Sequence, residues 1–365
     1  MKINTGVLLA GGTGSRLAPS TNIVNKHFLN IFDKPMIYYS ISILLLLKIR
    51  NIKIIVDSDS KDILEKLIGT GDEFGISVDY IIQDKPLGLP HAINNIFVKD
   101  SKLENFAVVL GDNFLHGREF FNNFYELIDL EKSNIFFQKV NNPEDFGVLH
   151  LDEEQNLIDI VEKPKDFISD LAVTGIYTFD DKFFQYFKSI DLSDRNEFEI
   201  ADILKLYMKD KSLNHIYLGR GMTWMDMGSN ESLLNCSNFV KTIQERQNIL
   251  VNSPHEVAFR NGWITEEQIE KLYRDNNQST YFQTLYKNKI CLWHNLSDKR
   301  CKKLRKIKLD NSKNFYKLLF KFGYKPTNNS LKKIRIYKNF QRRFRPQLIS
   351  SKVDEESYAI LKSLI

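Results

Sequence analysis

The most confining feature of this chain is a change of character near its start. The apolar run TGVLLA, ending at Ala10, gives way to three glycines in four positions, Gly11, Gly12 and Gly14. An apolar run of that length bounded by glycine reads as a buried strand. The glycines beyond it present several backbone N–H groups with no side chain in the way, a concave row suited to an anion. Arg16 then offers a planar fork of donors and Lys26 a compact charge, both suited to phosphate oxygens. A Walker loop would need lysine directly after the second glycine of GxxxxGK, and the dinucleotide fingerprint would need GxGxxG; neither is present. The plainer alternative is a glycine-rich turn beside a solvated arginine.

The same strand-then-turn grammar recurs. TGVLLA, IKIIVD, VDYIIQD and FAVVLGD all read as buried strands ending in Gly, Asp or a small residue, and PMIYYSISILLLLK and SKDILEKLIG between them have helical length. Strand–helix–strand order predicts an α/β fold with a doubly wound sheet, mixed but mostly parallel, covered by helices on both faces. Later strands (IFFQKV, FGVLHL, VTGIYTF, HIYLGR) lie closer together and predict an antiparallel extension. Helices are predicted in DRNEFEIADILKLYMKD and in NESLLNCSNFVKTIQERQ, the latter capped near Ser229 or Asn230.

Bulk properties exclude several classes. The apolar run Ile41–Leu47 is far short of a membrane span and is followed by Lys48 and Arg50. The N-terminus does not read as a signal peptide, and Cys236, Cys291 and Cys301 form neither a disulfide ladder nor a zinc pattern, which suits a reducing cytoplasm. Charge is unevenly spread: Lys287 to Ile365 holds 22 Lys and Arg against 5 Asp and Glu, while the remainder is net acidic. That contrast marks a domain boundary, drawn at 1–283 and 284–365.

Two further stretches carry chemistry. VLGDNF would place Asp112 at the carboxyl edge of the sheet, and WMDMGS would place Asp226 beside a glycine. Two such carboxylates suit a hard divalent cation that takes its other ligands from water and phosphate; each also reads as a cap or turn residue. In VEKP, Lys163 could meet a second phosphate and Glu162 could accept from sugar hydroxyls, although an adjacent Glu–Lys pair also suits a solvated strand end.

Taken in order, LAGGTGSRL, Lys26, DKPMIYY, LGDN, DFGV, VEKP, AVTGIY, WMDMG and SNFVKTIQERQ resemble the sugar-1-phosphate nucleotidyltransferases, and among them the short bacterial glucose-1-phosphate thymidylyltransferases. The likeness covers residues 3 to about 275. It implies a Rossmann-like nucleotidyltransferase fold, with dTTP and glucose 1-phosphate as substrates and Mg²⁺ as cofactor. It also implies a cytoplasmic homo-oligomer, tetrameric in that family, with no nucleic-acid partner. Carried over residue by residue, Leu9, Gly11, Gly12, Thr13, Gly14, Gln83, Gly88, Leu89 and Asp112 would bind the nucleotide. Arg16, Lys26 and Lys163 would be catalytic, and Asp112 and Asp226 would hold the metal. Asn113, Gly147, Glu162, Val173 and Tyr177 would contact the sugar.

Some positions depart from that pattern. His27 stands where the family has Gln, Leu29-Asn30 replaces Leu-Pro, and Pro90 and His91 replace small and amide residues. Met227 replaces Thr, and Leu250 replaces a lysine tied to a second nucleotide site. The histidines read as packing or rim residues. They leave open a uridylyltransferase on the same fold, and a non-catalytic sugar-nucleotide sensor stands as the rival of another class. The tail CKKLRKIK is a solvated helix face or a patch for phosphates, nucleic acid or anionic lipid. Beyond it, FYKLLFKFGYKP, IRIYKNFQRRFRP and DEESYAILKSL predict three short amphipathic helices, weakly similar to three-helix peptidoglycan-binding modules.

Overall fold

The computed structural model describes residues 3–292 except 13, 84, 100–102 and 118–126, together with 312–321, 333, 336, 337, 357, 358 and 361. Packing divides the chain into two units, Met1–Lys271 and Leu272–Ile365.

In the first unit the strands run β1 (Thr5–Leu9), β2 (Asn30–Ile31), β3 (Lys34–Pro35), β4 (Asn51–Val56), β5 (Ser77–Ile82), β6 (Phe106–Leu110) and β7 (Asn113–Gly117). They continue as β8 (Ser133–Lys139), β9 (Gly147–Leu151), β10 (Leu157–Glu162), β11 (Leu171–Phe179), β12 (Leu213–Tyr217) and β13 (Met222–Asp226). Its helices are α1 (Met36–Leu46), α2 (Ser58–Ile68), α3 (Leu89–Lys99), α4 (Lys182–Phe187), α5 (Ile200–Lys209), α6 (Asn230–Gln247) and α7 (Pro254–Arg260). Helix α8 (Glu266–Asp275) crosses the boundary between units, and α9 (Thr280–Leu292) and α10 (Ser312–Lys321) belong to the second.

Nine strands form one mixed sheet, β10-β9-β11-β6-β1-β4-β5, with β8 and then β12 branching from β11. Pairing is parallel from β6 through β1 and β4 to β5, and β11 then lies antiparallel to β6, β8 and β9. Alternation along β1 explains the two helical layers. Val7 faces a core shared with Ala92, Ile93 and Ile96 of α3 and Leu204 of α5. On the opposite face, a Cβ added at Gly6 would stand 3.0 Å from Leu44 of α1. The doubly wound, mixed α/β expectation holds, with one half of the sheet, β6-β1-β4-β5, parallel and β12 also parallel to β8. Helix α6 begins as expected at Ser229, whose hydroxyl accepts from the Ser232 N–H while the Ser232 hydroxyl accepts from the Ser229 N–H.

In the second unit, Phe315 and Leu319 of α10 are buried, as are Tyr337, Ser357 and Leu361. Phe315 meets Tyr337 edge-on at 5.4 Å, and the Tyr337 and Ser357 hydroxyls are 3.0 Å apart. These positions come one group from each of the three amphipathic segments, most of whose residues lie outside the described ones. The sequence boundary at residue 283 falls inside α9, whereas packing divides the chain after Lys271. Among the described residues no helix is long and apolar enough to cross a membrane.

Candidate active site

Leu9 and Leu110 are register partners at the carboxyl ends of β1 and β6, and the Gly111 N–H donates to the Leu9 carbonyl at 2.8 Å. The glycine turn and the Asp112 corner therefore leave the sheet side by side, and two cavities open there. One, of about 230 Å³, is lined by Leu9, Gly11, Gly12, Lys26, Gln83, Gly88, Leu89 and Asp112. The other, of about 260 Å³, is lined by Arg16, Asp112, Asn113, Gly147, Glu162, Lys163, Val173, Tyr177 and Asp226. Asp112 faces both. All five charged side chains singled out in the sequence thus converge on one cleft.

The glycine turn follows from backbone geometry. Gly12 has φ 105° and Gly14 φ 59°, values that favour glycine. Gly14 lines neither cavity; it shapes the turn, and a Cβ there would stand 2.9 Å from Thr21. Thr13 lies outside the described residues. Lys26 follows Asn25, whose side chain accepts from the His27 N–H and donates to the Ala10 carbonyl at 3.1 Å and to Asp57 at 2.9 Å. Those bonds tie the Lys26 turn to the glycine turn.

The two carboxylates arrive by a route that strand periodicity alone does not show. Strands β7 and β13 form a separate antiparallel ribbon in which Asp226 is opposite Asn113, and the Met227 N–H donates to the Asp112 carbonyl at 2.9 Å. Lys26 pairs with Asp112, and Arg16 Nη2 lies 3.5 Å from Asp226. Burial pushes the Asp112 carboxyl up, but Lys26, the neighbouring His27 and a backbone hydrogen bond together outweigh it, and the group stays below the usual carboxylate range. Asp226 goes the other way: burial, reinforced by the Asp112 charge, pushes it up to about 6. Two carboxyls held close enough to resist joint ionisation fit a divalent cation, which would relieve both charges. Gly228 leaves room for this grouping, since a Cβ there would stand 2.6 Å from Arg16 Nη2.

On the far side, β11 breaks register with β8 between Val173 and Tyr177. The Gly175 N–H within this break donates to Asn113 Oδ1 at 3.0 Å, and Trp224 Nε1 donates to the same oxygen at 2.5 Å. Asn113, 2% exposed, is therefore engaged as a floor between ribbon and sheet. Lys163 adopts φ 43° and its N–H donates to the Phe146 carbonyl at 2.9 Å, turning the chain at the cavity edge. Gly147 keeps that edge open: a Cβ there would stand 3.1 Å from Glu162 Oε2.

Sequence reasoning passed over Arg195, Glu199, Trp224 and Gly175. Arg195 Nη2 lies 2.6 Å from Glu199 Oε2 and 3.6 Å from Glu162 Oε1, on the cavity wall. Burial first, then the nearby Glu199 charge, pushes the Glu162 carboxyl up against the pull of Arg195 and Lys163. The only sequence signal for Arg195 was a lone cation in an acidic turn. The departures resolve individually: His27 and Met227 are buried at 1% and 0% exposure, and Leu250 is buried as well. Burial pushes the His27 imidazole down to about 3, so it packs as a neutral ring with no positive charge at neutral pH.

Residues 5–243 match the nucleotidyl transferase family. The chain is 39% identical over 283 residues to a glucose-1-phosphate thymidylyltransferase of Neisseria meningitidis, covering 77% of this chain and 97% of the relative. It is 40% identical over 270 residues to the enzyme of that description from Xanthomonas campestris, covering 73% of this chain and 90% of the relative. A Bacillus anthracis structure described as a glucose-1-phosphate thymidylyltransferase, in complex with a sucrose, aligns with TM-score 0.58 and 36% identity, covering 64% of this chain and 94% of that one. A UDP-glucose pyrophosphorylase structure aligns with TM-score 0.58 at 23% identity over 66% of this chain and 99% of that one, a likeness of fold alone.

Proposed function

The chain belongs to the nucleotidyl transferase family, and from that premise we propose that it is a glucose-1-phosphate thymidylyltransferase, joining dTTP to glucose 1-phosphate with release of pyrophosphate. The relatives of that description match it over about three quarters of its length. The observation that carries the reading is the position of Asp112 on both cavities, with Lys26 beside it and Arg16 and Asp226 on the larger one.

The glucose 1-phosphate oxygen attacks the α-phosphorus of dTTP in line, and the bond to pyrophosphate breaks as the new one forms. No covalent enzyme intermediate is needed, so catalysis consists of positioning and charge neutralisation. The N–H groups at Gly11 and Gly12 cradle the triphosphate and Arg16 stabilises the leaving pyrophosphate. Lys26 neutralises the α-phosphate, and Lys163 holds the attacking sugar phosphate. Asp112 and Asp226 would hold Mg²⁺, which when bound neutralises phosphate charge. Gln83, with an amide donor and acceptor, suits the edge of thymine, and Glu162 suits sugar hydroxyls. The same reading makes the protein a cytoplasmic homotetramer serving nucleotide-sugar and surface-polysaccharide biosynthesis, with catalysis in residues 1–283 and a basic helical appendage in 284–365.

The deciding experiment is pyrophosphate release by purified protein with Mg²⁺, glucose 1-phosphate and equal dTTP and UTP. Preferential consumption of dTTP is expected. Preference for UTP would shift the assignment to a uridylyltransferase, and release with neither nucleotide would end the catalytic reading.

A further inference from the structure

His91 belongs by sequence to the base loop, three residues past Gly88, yet it lines neither of the two cavities. Its ring instead lies nearly parallel to that of Phe198, with 6.3 Å between centroids and 7° between planes. That is an offset-stacked arrangement. Among the described residues its Nδ1 is buried without a hydrogen-bond partner. An unpaired buried nitrogen costs free energy, so the favourable contribution here has to come from the ring's packing.

Phe198 is fastened to the base loop in two further ways. Its N–H donates to the Leu87 carbonyl at 3.0 Å. Gly88, at φ 91°, passes so close that a Cβ would stand 2.3 Å from the Phe198 carbonyl oxygen. On its other flank in sequence is Glu199, which holds Arg195 through two hydrogen bonds, at 3.1 and 2.6 Å. Phe198, Glu199 and Arg195 all line the larger cavity. The wall of the sugar side therefore hangs from the base loop.

We propose that His91 is a positioning residue for the sugar side, its ring seating Phe198 and so holding the Arg195–Glu199 wall against the sugar-phosphate cavity. This rests on the transferase reading above and assigns to the sugar a residue that its place in the chain assigns to the base.

The test separates the two substrates. His91→Ala removes the stack and should raise the KM for glucose 1-phosphate about three- to tenfold while leaving that for dTTP within about twofold. His91→Phe keeps a ring and removes the unpaired nitrogen, and should restore the wild-type sugar KM. Equal shifts in both constants, a shift confined to dTTP, or no rescue by phenylalanine would each overturn the proposal. If His91→Ala does not fold, Phe198→Leu should give the same selective rise, and an unselective one would overturn it. If the wild-type protein released no pyrophosphate, the catalytic reading would fail separately. Calorimetric titration of glucose 1-phosphate into wild type, His91→Ala and His91→Phe would then still decide the matter, since equal affinities would refute the positioning role.

Discussion

The two sides of the cleft differ in how far apart their residues are in the chain. The proposed nucleotide side is lined by residues 9, 11, 12, 26, 27, 83, 86, 88, 89, 92, 110, 112 and 197, mostly at the ends of parallel strands β1, β5 and β6 and in the turns and the α3 start that follow them. The proposed sugar side shares Leu89, Leu110, Asp112 and Glu197 with it. Otherwise it draws mainly on 145–147, 160–163, 173–177, 195–204 and 224–226, from antiparallel strands, a register break, a loop and the start of α5, with Arg16 and Asn113 beside them. Parallel strands end at one edge of the sheet, so a motif after each strand lands at the same place without help. Antiparallel strands alternate in direction, and their residues meet only if register and ribbon pairing are right. Local chemistry therefore dominates on one side and long-range pairing on the other.

Asp112 is the seam between the sides, and the largest effect is expected there. Asp112→Asn removes a carboxylate proposed to hold the metal and leaves Lys26 without its partner, so kcat/KM should fall about a thousandfold or more for both substrates, read by pyrophosphate release. A loss confined to one substrate would break the idea of a shared seam.

Asp226→Asn sharpens the comparison through stability. A carboxyl raised to about 6 from 3.8 binds more protons folded than unfolded in that window, so its contribution turns unfavourable as pH rises through it. The metal-free variant should gain roughly 3 kcal/mol at neutral pH and lose activity. Thermal unfolding at neutral and acid pH checks the sign; a variant less stable than wild type at neutral pH would contradict it.

His27→Gln probes the nucleotide side and should act in the opposite direction. The unfolded imidazole takes a proton below 6.5 and the folded one only near 3, so folding loses stability as pH falls through that window. The variant should be less acid-sensitive by about 2 kcal/mol near pH 5, with an unchanged pH–rate profile at neutral pH. Loss of a limb of that profile would make His27 a proton carrier instead of a packing residue.

What could be read in advance follows the same division. Gly11, Gly12 and Asp112 were legible because each comes just after a strand whose apolar run is visible; Lys26 was legible as a cation spaced beyond the glycines, and Gln83 only through the resemblance. Glu162 and Lys163 were legible only as members of an ordered set. Arg195, Trp224 and Gly175 were not, because their importance lies in partners far away in the chain: Glu162, Asn113 and the break in β11. His91 was assigned to the base loop by position, whereas its ring faces Phe198.

The sequence by itself determined that strands would end in glycine and aspartate at one sheet edge, because φ preference and apolar periodicity act over a few residues. Only the tertiary structure decided that Asp226 would stand opposite Asn113 beside Asp112, and that Arg195 would bridge Glu162 and Glu199. Those outcomes depend on β7–β13 pairing and loop docking across tens of residues, where no local preference specifies the partner.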